Sequence, residues 1–175
     1  MPTPGTPEVG VVALKTENVT VANELPGRTA AFLVAEVRPQ VSGIIQKRLF
    51  EEGSMVKAGE PLYQIDPSLY EAARNEAEAQ LASARANLAA ARARAARYDT
   101  LKDSEAVSRQ DIDDALAAAR QAEAAVKQAE ARLATAKINL AYTQVAAPIS
   151  GRIGRSSVTA GALVTASQAN PLAIV

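Results

Sequence analysis

The chain has 175 residues, 19 basic and 19 acidic side chains and no histidine, so its formal charge at neutral pH is zero. That balance gives no support to a nucleic-acid surface or a polybasic membrane surface. Cysteine is absent as well as histidine, which removes thiol nucleophiles, Cys/His zinc sites, disulfides and imidazole acid–base chemistry together.

Met1 leads straight into Pro2, Pro4, Gly5 and Pro7, and residues 1–8 read as an extended linker. No charged segment followed by an apolar run stands at Met1, as a signal peptide would require. No apolar run approaches the ~20 residues needed to span a bilayer. Residues 9–66 are rich in Val, Ile and Leu with Gly and Pro between them. Their alternation predicts strands at Val9–Leu14, Val19–Glu24, Ala35–Arg38, Ile44–Leu49 and Leu62–Ile65.

Residues 68–142 contain neither Gly nor Pro and are packed with Ala, Glu, Gln, Arg and Leu, the strongest helix formers. A heptad pattern runs through them. Ala77, Leu81, Ala84, Leu88, Ala91, Ala95 and Tyr98 alternate in steps of four and three. Ile112, Ala115, Ala119, Ala122, Val126, Ala129, Leu133, Ala136 and Leu140 do the same. A 3.5-residue period keeps one seam facing a partner helix, and alanine along that seam allows close approach. The phase is lost over Lys102–Val107, where Asp103 and Ser104 weaken the helix. Ser108 then reads as an N-cap with Asp111 three residues on. Two similar heptad segments joined by a tight connection predict an antiparallel hairpin, each arm ~50 Å long at 1.5 Å per residue.

Residues 143–175 return to short strands, and they resemble the region before the helices. Val41-Ser42-Gly43-Ile44-Ile45 corresponds to Ile149-Ser150-Gly151-Arg152-Ile153. Gly53 follows Gly43 by the same interval that separates Gly161 from Gly151, and Pro61-Leu62 and Pro171-Leu172 open the last strand of each copy. The pattern describes two copies of one strand–turn–strand unit, each with an apolar face and no partner inside itself. Two such units facing each other make a flattened β-sandwich.

The half-motif resembles the biotinyl/lipoyl domain. Carrier versions present a lysine on a short turn between the halves; here Asp66-Pro67 leads into the hairpin and Thr143–Pro148 leads out, with no lysine at the junction. A lipoyl-like domain split by a coiled-coil hairpin resembles the periplasmic adaptors, or membrane fusion proteins, of resistance–nodulation–division efflux pumps. The segments that carry the resemblance are Glu24–Thr29, Glu36–Ile45, Val56–Gly59, Leu62–Pro67, Ile138–Thr143 and Pro148–Gly154, and it covers almost the whole chain from Glu8 to Val175.

The resemblance implies an α+β fold, a lipoyl-like β-sandwich split by a long antiparallel helical hairpin, with leading strands of an incomplete β-barrel and membrane-proximal region. The corresponding divisions are a linker at 1–8, barrel and membrane-proximal strands at 9–34, sandwich halves at 35–66 and 144–175, and the hairpin at 67–143. Family members continue past the counterpart of Val175 and begin at a lipidated cysteine. This chain has Met1 and no Cys, so a soluble form with poorly supported leading strands is expected.

The resemblance also implies a scaffolding protein of the periplasm, with no catalytic residue, cofactor or metal. Its implied partners are an inner-membrane proton-driven transporter and an outer-membrane duct of the TolC/OprM type. Copies are expected to pack into a ring, as a hexamer, anchored natively to the inner membrane by lipid. An adaptor of an ATP-driven exporter or type I secretion system shares the split-lipoyl plan and is the alternative.

The family's duct-docking signature at the hairpin tip matches Arg97, Leu101 and Ser108 by spacing. Arg97 offers a rigid fork of donors, Leu101 an apolar knob worth ~1–2 kcal/mol on burial, and Ser108 is expected to cap its helix and still donate outward. Read from the residues alone, the three are a solvated charge, the last seam residue and an N-cap. Glu51 and Glu52 beside Gly53 read as a solvated turn, and Arg152 and Arg155 as surface charges or lateral contacts between protomers.

Overall fold

The computed structural model describes residues 1, 3–101, 107–166 and 168–175. They fall into two units, Met1–Phe32 and Leu33–Val175. In the first, the strands predicted at Val9–Leu14 and Val19–Glu24 do not form. Val11 is 92% exposed and Leu14 95%. An alternating segment becomes a strand only when a neighbouring edge takes its ladder hydrogen bonds, and no described residue of the unit offers one.

The second unit contains eight strands and two helices among its described residues. In order they are β1 (Glu36–Val37), β2 (Gly43–Arg48), β3 (Met55–Val56), β4 (Pro61–Ile65), α1 (Ser68–Leu101), α2 (Arg109–Ala141), β5 (Gln144–Ala146), β6 (Gly151–Arg152), β7 (Leu163–Val164) and β8 (Ala173–Ile174). Strands before the helices pair with strands after them: β1 with β8, β2 with β7, β3 with β6 and β4 with β5, all antiparallel. Among the described residues, only the β2–β4 ladder lies within one half.

The two copies seen in the sequence exchange equivalent bonds. Gly43 faces Val164 and Gly151 faces Val56. The Gly161 amide donates to the Ile45 carbonyl, and the Gly53 amide donates to the Ile153 carbonyl. Gly53 and Gly161 both sit at positive φ, 80° and 89°, where a side chain is strained. The sandwich is thus built on an internal two-fold relation: each half supplies the edge that the other lacks.

Apolar side chains on the inner faces make one core of Val37, Val41, Ile45, Phe50, Val56, Leu62, Tyr63, Ile65, Val145, Ile153, Val164, Leu172 and their neighbours. Tyr63 is fully buried. Its ring meets Phe50 edge-on at 5.3 Å, while its hydroxyl donates to the Leu172 carbonyl at 3.0 Å and pairs with Ser156 Oγ at 2.7 Å. Burial pushes its pKa up, against the opposing effect of the Ser156 hydrogen bond.

The hairpin is rooted where β4 ends and β5 begins. Asp66 Oδ1 accepts from the Ser68 amide at 3.1 Å and the Ser68 hydroxyl at 2.6 Å, an Asx-type turn that starts α1. Those bonds hold the Asp66 carboxyl below its ordinary pKa. Across the root, the Ile65 amide donates to the Thr143 carbonyl. Tyr70 Oη donates to the Ser42 carbonyl at 2.6 Å and ties the first turn of α1 to the sandwich.

Two outcomes follow. Gly43 packs so closely that an added Cβ would lie 2.6 Å from Ile65 Cγ2, whereas the equivalent Gly151 leaves 3.1 Å to Val175 Cγ1. Gly43→Ala is expected to lower stability by ~1–3 kcal/mol and Gly151→Ala by less, as read from urea midpoints. Equal, negligible effects would contradict the close approach. A carboxyl with a lowered folded-state pKa contributes stability above the ordinary carboxylate value and loses it as pH falls through the depressed one. Protection of the Ser68 and Glu71 amides, taken relative to the intrinsic exchange rate at each pH, should therefore fall below about pH 4, and Asp66→Asn should blunt that fall.

Candidate docking site at the hairpin tip

Helix α1 runs for 34 residues and α2 for 33, so each spans ~50 Å. They pack along one another and make at most marginal contact with the strands. Every seam residue expected from the heptad pattern is buried or half-buried, from Ala77 to Tyr98 on α1 and from Ile112 to Leu140 on α2. Ala77, Leu81, Val126, Ala129 and Leu133 form the hairpin's own apolar cluster, flanked by Ala84, Leu88 and Ala136. The remaining helix surface is largely exposed and polar. Among the described residues no helix is long and apolar enough to cross a membrane.

Because the seam carries so little bulk, the flanks add charge pairs. Arg85 meets Glu130 at 2.9 Å and Arg92 meets Glu123 at 3.4 Å. The pairs step by seven residues on each helix, so they repeat on one flank of the rod. The heptad pattern names the seam alone and leaves these side chains on the outward faces. Once the turn is placed near Val107, the two opposite-charge pairs fall at facing heptad positions, and that was the available signal.

At the far end, Arg97 is exposed and Leu101, the last residue of α1, is 40% exposed. Thr100 Oγ1 donates to the Arg97 carbonyl at 2.8 Å, closing the final turn. Arg94 lies 5.3 Å over the Tyr98 ring and donates to its hydroxyl at 3.3 Å. Interaction with Tyr98, first of all its hydrogen bond, raises the Arg94 pKa, and Asp111 and Asp114 add smaller contributions in the same direction. Leu116, off the seam on α2, is 39% exposed. It is a second leucine on the distal part of the rod that the heptad reading passed over, because it fits neither the seam nor the tip signature.

Ser108 is the N-cap of α2, with extended backbone at φ −69° and ψ 151°; its Oγ accepts from the Asp111 amide at 3.1 Å. The same hydroxyl donates to Asp111 Oδ2 at 2.7 Å. A serine hydroxyl has one proton, so the expected outward donation is not available while that bond is made; only an acceptor lone pair faces outward. Asp103 and Ser104, which the sequence places in the helix break, lie outside the described residues. Arg97, Leu101 and Ser108 thus come from the facing ends of the two helices.

Elsewhere two of the singled-out charges, Arg152 and Glu52, are used within the sandwich. Arg152 Nε donates to the Gly53 carbonyl at 2.8 Å. Glu52 accepts from the Ser156 amide at 3.1 Å and pairs with Arg48. No cluster of potential metal ligands occurs among the described residues.

A barrel-sandwich made of two reciprocal halves, with a helical hairpin inserted between them, defines the membrane fusion protein class. Residues 33–175 match the family model described as RND MFP, barrel-sandwich hybrid domain, and the chain belongs to that family. It is 57% identical over 170 residues to the multidrug resistance protein MexA of Pseudomonas aeruginosa, across 97% of this chain and 41% of that protein. It is 55% identical over 169 residues to the multidrug efflux pump subunit AcrA of Escherichia coli, across 97% of this chain and 43% of that protein. The crystal structure of MacA from Actinobacillus actinomycetemcomitans superposes with a TM-score of 0.59 at 29% identity, over 81% of this chain and 50% of that one. The chain therefore spans about four-tenths of the length of these curated relatives.

Replacing Ser108 removes the cap acceptor and leaves the Asp111 amide unpaired. Ser108→Ala is expected to cost ~1 kcal/mol at the start of α2, seen as faster amide exchange over the first turn of α2 with none over α1's buried centre. Unchanged exchange would mean that the cap does not hold this end.

Proposed function

We propose that the chain works as the split-lipoyl and hairpin portion of a periplasmic adaptor in a tripartite multidrug efflux pump. In this reading it links an inner-membrane proton-driven transporter to an outer-membrane duct of the TolC/OprM type. The observation that carries the proposal is the rod itself. Its two helices bury a seam against each other and little against the sandwich, so the described residues of their far end lie away from the sandwich, where another protein can reach them. Membership of the RND adaptor family and the relatives described as multidrug resistance and efflux subunits support the efflux assignment.

Residues 9–34 would contribute to the membrane-proximal and barrel regions, and residues 1–8 would be a linker. Copies would pack side by side into a ring, a hexamer, held at the inner membrane by lipid. The action is geometric: it aligns and seals a conduit without making or breaking bonds. Arg97 and Leu101 contact the duct in this reading, and Ser108 contributes by fixing the start of α2 and offering an acceptor. Burying a leucine of this exposure is worth ~1–2 kcal/mol, about tenfold in affinity, and the fork of Arg97 adds directional donors for carbonyls or carboxylates.

Arg97→Asp and Leu101→Asp are each expected to lower duct binding at least about tenfold while leaving helical circular dichroism unchanged. Full drug resistance restored in a pump-deficient strain by the complete adaptor bearing either change would overturn the tip assignment.

A further inference from the structure

The seam is not uniform along the rod. Its bulky members Leu81, Leu88, Val126 and Leu133 lie in the middle and the sandwich-proximal part of the rod, where the apolar cluster forms, and Tyr98 and Ile112 close the distal end. Between Leu88 and Tyr98 on α1 the seam is Ala91 and Ala95; between Val126 and Ile112 on α2 it is Ala122, Ala119 and Ala115. Alanine buries little area and supplies no knob that resists sliding. Along this stretch the helices are held by methyl contacts and by charge, chiefly Arg92 with Glu123. Arg94, packed on Tyr98 and facing the field of Asp111 and Asp114, adds to it.

The pair one heptad closer to the sandwich provides an internal comparison. Arg85 and Glu130 are 62% and 48% exposed, Arg92 and Glu123 are 60% and 47%. Solvent screens both alike, and the inner pair is the closer, 2.9 Å against 3.4 Å, so a larger effect at the outer pair has to come from the seam beneath. Where leucine and valine fix the register, an exposed ion pair is redundant. Where the seam is alanine alone, an interaction of ordinary surface strength is comparable with what it accompanies.

We propose that Arg92 and Glu123 are positioning residues: they hold the alanine-lined distal stretch of the hairpin closed and in register, and so set where Arg97 and Leu101 are presented. Only the last clause rests on the docking reading above. The electrostatic closure of the distal stretch stands without it.

The chain has no cysteine, so spin labels can be placed at will. One pair goes at the exposed Ala96 and Ala118 in the distal stretch, the other at the exposed Asn87 and Gln128 in the leucine half. Distances are read by pulsed electron paramagnetic resonance on the full chain. Glu123→Lys is expected to shift the Ala96–Ala118 distribution to longer distances and leave Asn87–Gln128 unchanged. Glu130→Lys should leave both unchanged, and the swap Arg92→Glu with Glu123→Arg should restore the original distribution.

The unsubstituted, labelled chain in about 1 M salt, where the screening length falls to roughly 3 Å, should show the same distal shift, so the inference does not hang on one variant folding. A distal distribution indifferent to Glu123→Lys and to salt, an equal response to Glu130→Lys, or failure of the swap would each overturn it. Duct binding by the same chains is measured separately. If even the unsubstituted chain does not bind, the docking reading fails while the distances still decide the closure.

Discussion

Reciprocal pairing of the two repeat halves is the constraint on which the second unit rests. Gly43 against Val164 and Val56 against Gly151 give each half the ladder edge it lacks. The same pairing places the end of β4 beside the start of β5. Helices that leave one strand and return to its neighbour must run antiparallel from a common root. The hairpin is thus a consequence of the sandwich's internal symmetry, and its direction is set by the Ile65–Thr143 bond, the Asp66 turn and the Tyr70 strap. Breaking the pairing would leave the helices with no common base, whatever their own propensity.

Stability along the second unit is correspondingly uneven. The sandwich holds fully buried Leu62, Tyr63, Ile65, Ile153 and Leu172, and its polar contacts are used internally, as with Tyr63, Ser156 and Glu52. The rod has a thin apolar seam with exposed charge on its flanks. Structures graded in this way open locally at the end with least burial. A rigid base and an adjustable far end suit a part that must hold its root while its tip meets another protein.

Much of this was legible in the sequence because it depends on local chemistry. Absence of Gly and Pro with a 3.5-residue period fixed the helices and every seam residue, since helix formation and seam burial need only short-range spacing. Ser108 was recognisable as a cap because the capping bond spans three residues. The repeated Gly and Pro-Leu positions announced two similar halves. Arg97 and Leu101 were selected by spacing within a family pattern, and both lie at the exposed end of α1.

Residues 9–34 show where sequence alone was insufficient. They alternate as strands do, but alternation states which face would be buried and says nothing about whether an edge is available, and here the ladder does not form. Which strands exchange bonds, that Gly43 is pressed against Ile65 more tightly than Gly151 against Val175, that the Ser108 proton is already committed to Asp111, and that Arg92 faces Glu123 were likewise decided only in three dimensions. Each depends on groups distant in the chain, or on the choice between two local bonds, and periodicity carries no information about either. The sequence by itself determined the helices, the seam and the internal symmetry; the tertiary structure decided which strands form and with which partners, because a hydrogen bond or a charge pair exists only once both groups have been brought to the same place.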